Sequence, residues 1–579
     1  MPPPYKTQPA ARVFGFSYPS DARGSDPVDH AGARLLDGIA VAAVMTIVIG
    51  SVIVRWFTTL NHDTAYFLAQ AKMLSQGRHL YSDLIDKDTP VSTLIGRGSV
   101  ALAAMTGLPL DRAHVVVLSA FLSLSVGVGC VLVRRFAAPH RSRFLAFAVA
   151  SSLAAFILPA TDFGQREHLF AAAVCPYFIA VAMHWRGVAR RRIEVAAVGA
   201  LAIVGFFVKP HFVAFAAAIW IAEFLGARGS LRRVSAETRL TALGTVGAYG
   251  TFLLLEPSYL TLIVPSQAAT YLEYRGTFLS ALSAHLTILV LVGLSLVLSS
   301  VFVWDESRRH LRTLVLRLGW PIYLAGLVVV GVQGFGFTYH VLPLFMWGFL
   351  LCAMISVHIV AFVFERQRAR SSLWVRAMAV ASLACALATS LQFLESAVRR
   401  QYAFTTGSPR SDTINHPFVK ALSLNGPSHY VYIFCGSVIP GGLAFVYANT
   451  RWSGHTIAMS LLPILYDYRV DPTLYPRTDP GVLARIETAE RHLIARDFVE
   501  RTPDLVLFDF GETKRFFKTG GFDYLAFLNE DKTFRDLWQK YRYSEVGDLQ
   551  DFRGRPFRVF VRNESSIDRF ELSRVMGSW

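Results

Sequence analysis

Charge is what this chain has least of. Only 17% of its 579 residues are charged and 53% are hydrophobic, whereas a soluble domain carries about 25% charge. That shortage argues against a fully solvated surface. Cysteine is scarce too, with five residues in all. Cys130, Cys175, Cys352 and Cys385 lie in apolar runs and Cys435 lies in the C-terminal region. No CxxC pair occurs, so neither a thiolate metal site nor a disulfide framework is supported. The chain has no P-loop and no GxGxxG opening a helix after a strand, so nothing suggests ATP hydrolysis or dinucleotide binding. It also has no DxD within a soluble nucleotide-sugar domain, and no obvious internal repeat.

The apolar residues fall in long runs, such as Leu35 to Trp56, Ala281 to Trp304 and Val341 to Phe364. About 20 such residues, at a rise of 1.5 Å each, span a hydrocarbon core. The expected fold is therefore an α-helical polytopic membrane protein. Residues 1–34 are rich in Pro, Gly, Ser, Asp and Arg and read as a disordered cytoplasmic tail. The run that follows is too long for a secretory h-region and reads as an uncleaved first helix.

Eleven spans are expected, at 35–56, 113–133, 144–160, 168–185, 194–208, 211–225, 240–256, 281–303, 318–334, 341–364 and 374–394. The formal net charge of +16 could suit nucleic acid, but its distribution points elsewhere. Loops 134–143, 186–193, 227–239, 304–317 and 365–376 carry four Arg each, while the alternate short loops carry almost none. Basic loops stay in the cytoplasm, so the N-terminus is expected inside and the C-terminus outside. Residues 91–107 are apolar enough for a short span, but a crossing there would put the tail and the Arg-rich loops on opposite sides. With Arg97 in the middle, this segment is expected to be a re-entrant or interfacial helix on the outer side.

Beyond Ser396 the composition turns ordinary. Short apolar runs at 430–434, 443–447 and 505–510, an alternating run at 557–561 and a helical pattern over 479–500 predict an α/β domain over 395–579, outside the membrane. The transmembrane part is expected over 35–394, with the outer loop 57–112 contributing interfacial helices.

That first outer loop is patterned. NHDTAYFLAQAKMLSQGRHLYSDLIDKDTP runs from Asn61 to Pro90. Thr64 to Leu74 reads as an amphipathic helix, Gly77 ends it, and Tyr81, Ser82 and Asp83 enter a turn. A first span, then Asp63, then Tyr66, an Ala/Leu-rich helix, Gly, Tyr, Asp and finally Pro resembles the first outer loop of GT-C superfamily glycosyltransferases. The closest likeness is to the lipid A aminoarabinose and galacturonic acid transferases and the protein O-mannosyltransferases. The resemblance is specific over 55–100 and architectural elsewhere. It implies that Asp63 is the catalytic carboxylate, acting as general base on the acceptor hydroxyl. It also implies inverting transfer from a polyprenyl-phosphate sugar donor to a glycan, lipid or protein acceptor. Asp is equally a favoured helix N-cap, and the two roles are compatible.

Residues Thr161 to His168 form a second acidic cluster outside. Asp162 and Glu167 are expected to assist Asp63. Asp63, Asp162 and His168 are candidate ligands for a divalent metal such as Mg or Mn, with a solvated polar turn as the plainer account. A leaving lipid phosphate needs cationic support. Lys209, set in GFFVKPHFVAF, Tyr339 with His340 at the outer end of the tenth helix, Arg275 and Arg97 are the candidates; Lys209 could also simply snorkel. The expected setting is the cell inner membrane, with membrane lipids as surroundings and no nucleic-acid partner. Two alternatives remain. A lipid-linked oligosaccharide flippase would place charge mid-helix around a central cavity, whereas here the polar clusters sit at the outer ends. A glycan polymerase or ligase would use similar outer loops and the same class of donor.

Overall fold

The computed structural model describes residues 27–136, 141–268, 276–303, 312–364, 373–424, 426–476 and 479–577. Each of the eleven apolar segments is helical over most of its length. Among the described residues six helices are long and apolar enough to cross a bilayer: Leu35–Trp56, Leu110–Arg135, Arg166–His184, Thr313–Gln333, Thr338–Ala361 and Arg376–Gly407. A seventh is reached if Ala236–Leu255 and Tyr259–Ala268, bent by 82° at their junction, form one span. Arg141–Phe156 and Arg192–Phe207 have only 16 residues each, or about 24 Å against a core of about 30 Å. The expected count of eleven full crossings is thus not matched by helix length. The first helix also starts earlier than expected, at Pro27.

The chain is a multi-pass membrane protein by its surface as well as its helix lengths. Leu243, Leu254 and Leu391 are 74%, 83% and 66% exposed. Apolar surface of this extent needs a lipid partner. Inside the bundle, Phe170 stacks on Phe212 at 4.0 Å and meets Phe215 and Trp347 at 5.3 Å.

The C-terminal region forms a five-stranded sheet in the order β2-β1-β3-β5-β4. The strands are β1 (Tyr430–Phe434), β2 (Arg451–Trp452), β3 (Leu505–Asp509), β4 (Tyr543–Gln550) and β5 (Pro556–Arg562). β1 runs parallel to β2 and β3, while β5 is antiparallel to β3 and β4. The helix Pro480–Glu500 begins where expected. Asp479 caps it by accepting from Gly481 N at 2.7 Å. The run at 443–447 is helical, within Gly441–Tyr447.

The first outer loop forms a helix, His62–Ser75, which packs into the core of the sheet region. Ala65, Leu68, Ala69 and Met73 share one buried cluster with Val431, Ile433, Phe445 and Leu507. The approach is close enough to require glycine. A Cβ on Gly442 would lie 3.2 Å from Tyr66 N and Cα. Lys72 Nζ donates to the carbonyls of Phe445 and Ala448 at 2.9 and 3.0 Å. Arg78 is buried and its guanidinium donates to the carbonyls of Trp452, Ser453 and Gly454. Residues 91–106 form the helix expected there, and Gly96 faces Ala71 across its contact with His62–Ser75.

Arg78→Met should loosen the sheet region from the first outer loop. It leaves three carbonyls without their donor, at a cost of about 2–4 kcal/mol. A lower melting temperature in detergent and faster proteolysis near residues 450–456 are the expected outcomes. Unchanged values for both would show that the apolar contacts alone hold the joint.

Candidate functional site

Asn61 sets the start of His62–Ser75, because its side chain accepts from Asp63 N at 2.9 Å. Asn61, not Asp63, is therefore the cap. Asp63 stands in the first helical turn, where the positive end of the helix dipole favours a carboxylate. The second outer loop is stitched to it. Asn61 Nδ2 donates to Thr161 O at 2.8 Å, and Gln165 Nε2 donates to Asn61 Oδ1 at 2.8 Å and to Asp63 Oδ2 at 3.0 Å. This joint needs glycine at 164, which has φ +83° and would place a Cβ 2.7 Å from Leu118 Cδ1. Burial pushes the Asp63 carboxyl up. His62, the Gln165 hydrogen bond, Arg166 and Lys209 outweigh that and hold it below its ordinary range.

A second tier of charge lies behind Asp63. Arg166 pairs with Asp88 and lies over the Phe67 ring, its Cζ 4.8 Å from the centroid. Asp86 accepts from Tyr66 Oη at 3.3 Å, and burial, with Asp88 beside it, pushes its carboxyl up to about 7. Lys209 occupies the break between the helices Arg192–Phe207 and Val213–Gly226. Its Nζ donates to Glu167 Oε1 at 2.5 Å and lies 5.9 Å from the Tyr339 ring centroid.

Asp63, Asp88, Arg166 and Lys209 face one cavity of about 510 Å³. Its membrane side is lined by Asp63, Tyr66, Asp88, Asp162, Arg166, Lys209, Tyr339 and His340. The opposite wall comes from the sheet region. Gly436, Ser437 and Val438 follow β1, His455 and Thr456 follow β2, Arg515 and Phe516 follow β3, and Arg553 lies in the β4–β5 turn. The carboxyl ends of all three parallel strands therefore open on the cavity, the position where open α/β sheets bind ligands.

The structure sorts the expected site residues. Asp63, Asp162, Lys209, Tyr339 and His340 line the cavity together. Glu167 does not line it; its fully buried carboxylate is the counter-ion of Lys209. His340 spends its Nδ1 proton on Phe335 O at 2.7 Å, so as a neutral ring it has no second proton to offer a phosphate. Arg97 is exposed and lies off the cavity, because its helix turns Gly96 and Ser99 inward. Arg275 lies outside the described residues. The metal set is corrected. His168 accepts from Gly164 N at Nδ1 (3.0 Å) and donates from Nε2 to Ala155 O (2.8 Å), leaving no lone pair for an ion. Among the described residues no group of three His, Cys, Asp or Glu side chains could hold a metal. Asp162 meets Arg400 at 3.4 Å instead.

Arg166, Asp88, His455, Glu490, Arg515 and Arg553 were not among the expected site residues. The acidic pair Asp86 and Asp88 flanking Lys87 was a local signal for the second tier. Arg166, the lone Arg of its outer loop, was another. The residues of the sheet region carried no local signal, since only the fold brings them to the cavity.

No family model and no curated protein matches the chain. Among solved structures it is similar to ArnT from Cupriavidus metallidurans bound to undecaprenyl phosphate, at 14% identity and a TM-score of 0.49, over 92% of this chain and 98% of that one. The apo form of the same protein aligns at 13% identity and a TM-score of 0.49, over 95% and 100%.

Burial pushes the Asp162 carboxyl up to about 7, with Arg400 opposing and Glu167 and Asp63 adding to the rise. The folded state thus holds a proton that the unfolded chain, near 3.9, has already lost. Stability is present at low pH and falls as pH rises from about 4 to about 7. Asp162→Asn cannot ionise, so it should gain a few degrees in melting temperature over the wild type at pH 8 and little at pH 5. An equal difference at both pH values would place the buried charge elsewhere.

Proposed function

We propose that this protein is a glycosyltransferase of GT-C type. It moves a sugar from a polyprenyl-phosphate donor to a hydroxyl of a glycan, lipid or protein acceptor. The reaction takes place at the outer face of the cell inner membrane, with the N-terminus cytoplasmic and the sheet region outside. The observation that carries this reading is the grouping, in one cavity at the helix ends beneath the sheet region, of an ionised carboxylate, Asp63, with two buried cations, Arg166 and Lys209.

The chemistry follows from that pairing. A polyprenyl-phosphate sugar joins its anomeric carbon to a phosphate oxygen. The acceptor oxygen attacks that carbon from the side opposite the phosphate, and Asp63 takes the hydroxyl proton as the new bond forms. The bond from the anomeric carbon to the phosphate oxygen breaks, and its electron pair leaves with the lipid phosphate. Backside attack inverts the anomeric centre. The leaving group is already stable as an anion, so it calls for charge stabilisation more than for an acid. Lys209 and Arg166 supply the positive charge and Tyr339 a hydroxyl donor. His340 orients this wall through its hydrogen bond to Phe335. A base with a low pKa is weak but fully ionised at neutral pH, which is the state the step requires.

The loops after β1 and β3 cover the cavity, so this part of the sheet region is well placed to admit and select the acceptor. Arg515 and Arg553 both lie near enough to His62 to lower its pKa, after the larger effect of burial and against Asp63. They bring positive charge to the acceptor side.

Purified protein in nanodiscs should transfer label from a synthetic polyprenyl-phosphate sugar. Asp63→Asn should slow that transfer by about 10²-fold or more while the KM for donor stays close to wild type. Equal rates would return Asp63 to a structural role. An inactive wild type that instead moves lipid-linked oligosaccharide across vesicles would replace the transferase with a flippase.

A further inference from the structure

Four buried polar side chains of the sheet region take no part in the chemistry above. Glu490 and Asp497 lie seven residues apart on the helix Pro480–Glu500, two turns along one face. His455, in the loop after β2, sits between them. Its Nδ1 meets Asp497 Oδ2 at 2.6 Å and its Nε2 meets Glu490 Oε1 at 3.3 Å. Asp497 Oδ2 also accepts from His455 N at 2.7 Å and from Tyr432 Oη at 3.0 Å. All four residues are under 5% exposed.

A buried charged network of this kind is no cheap route to stability, because apolar residues of the same volume commonly serve as well or better. Its placement is also specific. His455 and Glu490 line the cavity, whereas Asp497 and Tyr432 stand behind them. The loop bearing His455 is bolted to the first outer loop. Ile85 N donates to His455 O at 2.9 Å, and Arg78 holds the three carbonyls just before it. Glu490 is thus presented to the same space as Asp63, with one oxygen held by His455. A carboxylate only accepts hydrogen bonds, which suits a partner made of hydroxyl donors.

We infer that Glu490 accepts hydrogen bonds from the hydroxyls of the transferred sugar, and that His455, clamped by Asp497 and Tyr432, is the positioning residue that aims it. This rests on the reading of a polyprenyl-phosphate sugar as donor. Burial opposes the charged imidazole, but the two carboxylates outweigh it and raise His455 to about 10. The clamp therefore stays charged through the neutral range. A site built around a hydroxyl discriminates strongly against a ligand lacking it.

The test is binding to the full chain in detergent, with bare decaprenyl phosphate and the same lipid carrying mannosyl, glucosyl, galactosyl, arabinosyl or galacturonosyl heads. The wild type should bind at least one glycosylated lipid about ten-fold or more tighter than the bare one. Glu490→Gln should close that gap and leave the affinity for bare decaprenyl phosphate unchanged. His455→Asn should close it as well. A merely structural role would weaken both lipids together and would overturn the inference. So would a gap that survives Glu490→Gln, or a wild type that binds no head group more tightly than the bare lipid. A wild type that binds neither lipid would instead remove the donor class itself, and the inference with it.

Discussion

Two cations stand at the ends of apolar helices, and each is held by a carboxylate from another part of the chain. Lys209 meets Glu167, 42 residues away, and Arg166 meets Asp88. Charge at this depth is expensive unless it is paired. The two pairs therefore constrain everything around them. They tie the loop ahead of Thr89 to the helix Arg166–His184, and that helix to the break at Lys209. They also leave positive charge facing the cavity beside Asp63. Each of the two cations thus faces the cavity with a carboxylate beside it.

The cavity is not a property of the membrane helices alone. Helix His62–Ser75 is amphipathic in an unusual sense: one side carries Asp63 and Tyr66 to the cavity, and the other joins the core of the sheet region. The sheet region in turn offers the carboxyl ends of its three parallel strands. The site is thus a seam between two differently built parts, with both walls anchored on the same helix.

Much of this was legible in the sequence, for identifiable reasons. Helices of apolar composition announce themselves by local pattern, and each expected segment is helical. The start of Pro480–Glu500 was visible in Asp479 and Pro480, because a cap and a first-turn proline are local signals. Asp63 was singled out by the resemblance of the first outer loop, and it does line the cavity. What failed were matters of distance. The cap role passed to Asn61 because its side chain reaches the Asp63 N–H. His168 looked like a ligand beside Asp162, but the fold turns its ring onto the backbone of Ala155 and Gly164. The apolar run at 443–447 reads as strand or helix alike, and packing against Tyr66 decided for helix. β4, with its mixed polar residues, carried no period strong enough to read. His455, Glu490 and Asp497 could be joined only by the sheet.

Among the described residues the end of the first span is hydrogen-bonded to the end of the last. Thr59 N donates to Ser408 O at 3.1 Å, and Arg410 N donates to Phe57 O at 3.0 Å. The partners are separated by about 350 residues, and a ribosome needs roughly 20–70 s to cover that stretch. During it the loop carrying Asp63 can meet residues 161–165, about 100 residues on, but not the sheet region. The cavity thus draws Asp63 and Arg166 from the first third of the chain and its covering loops from the last.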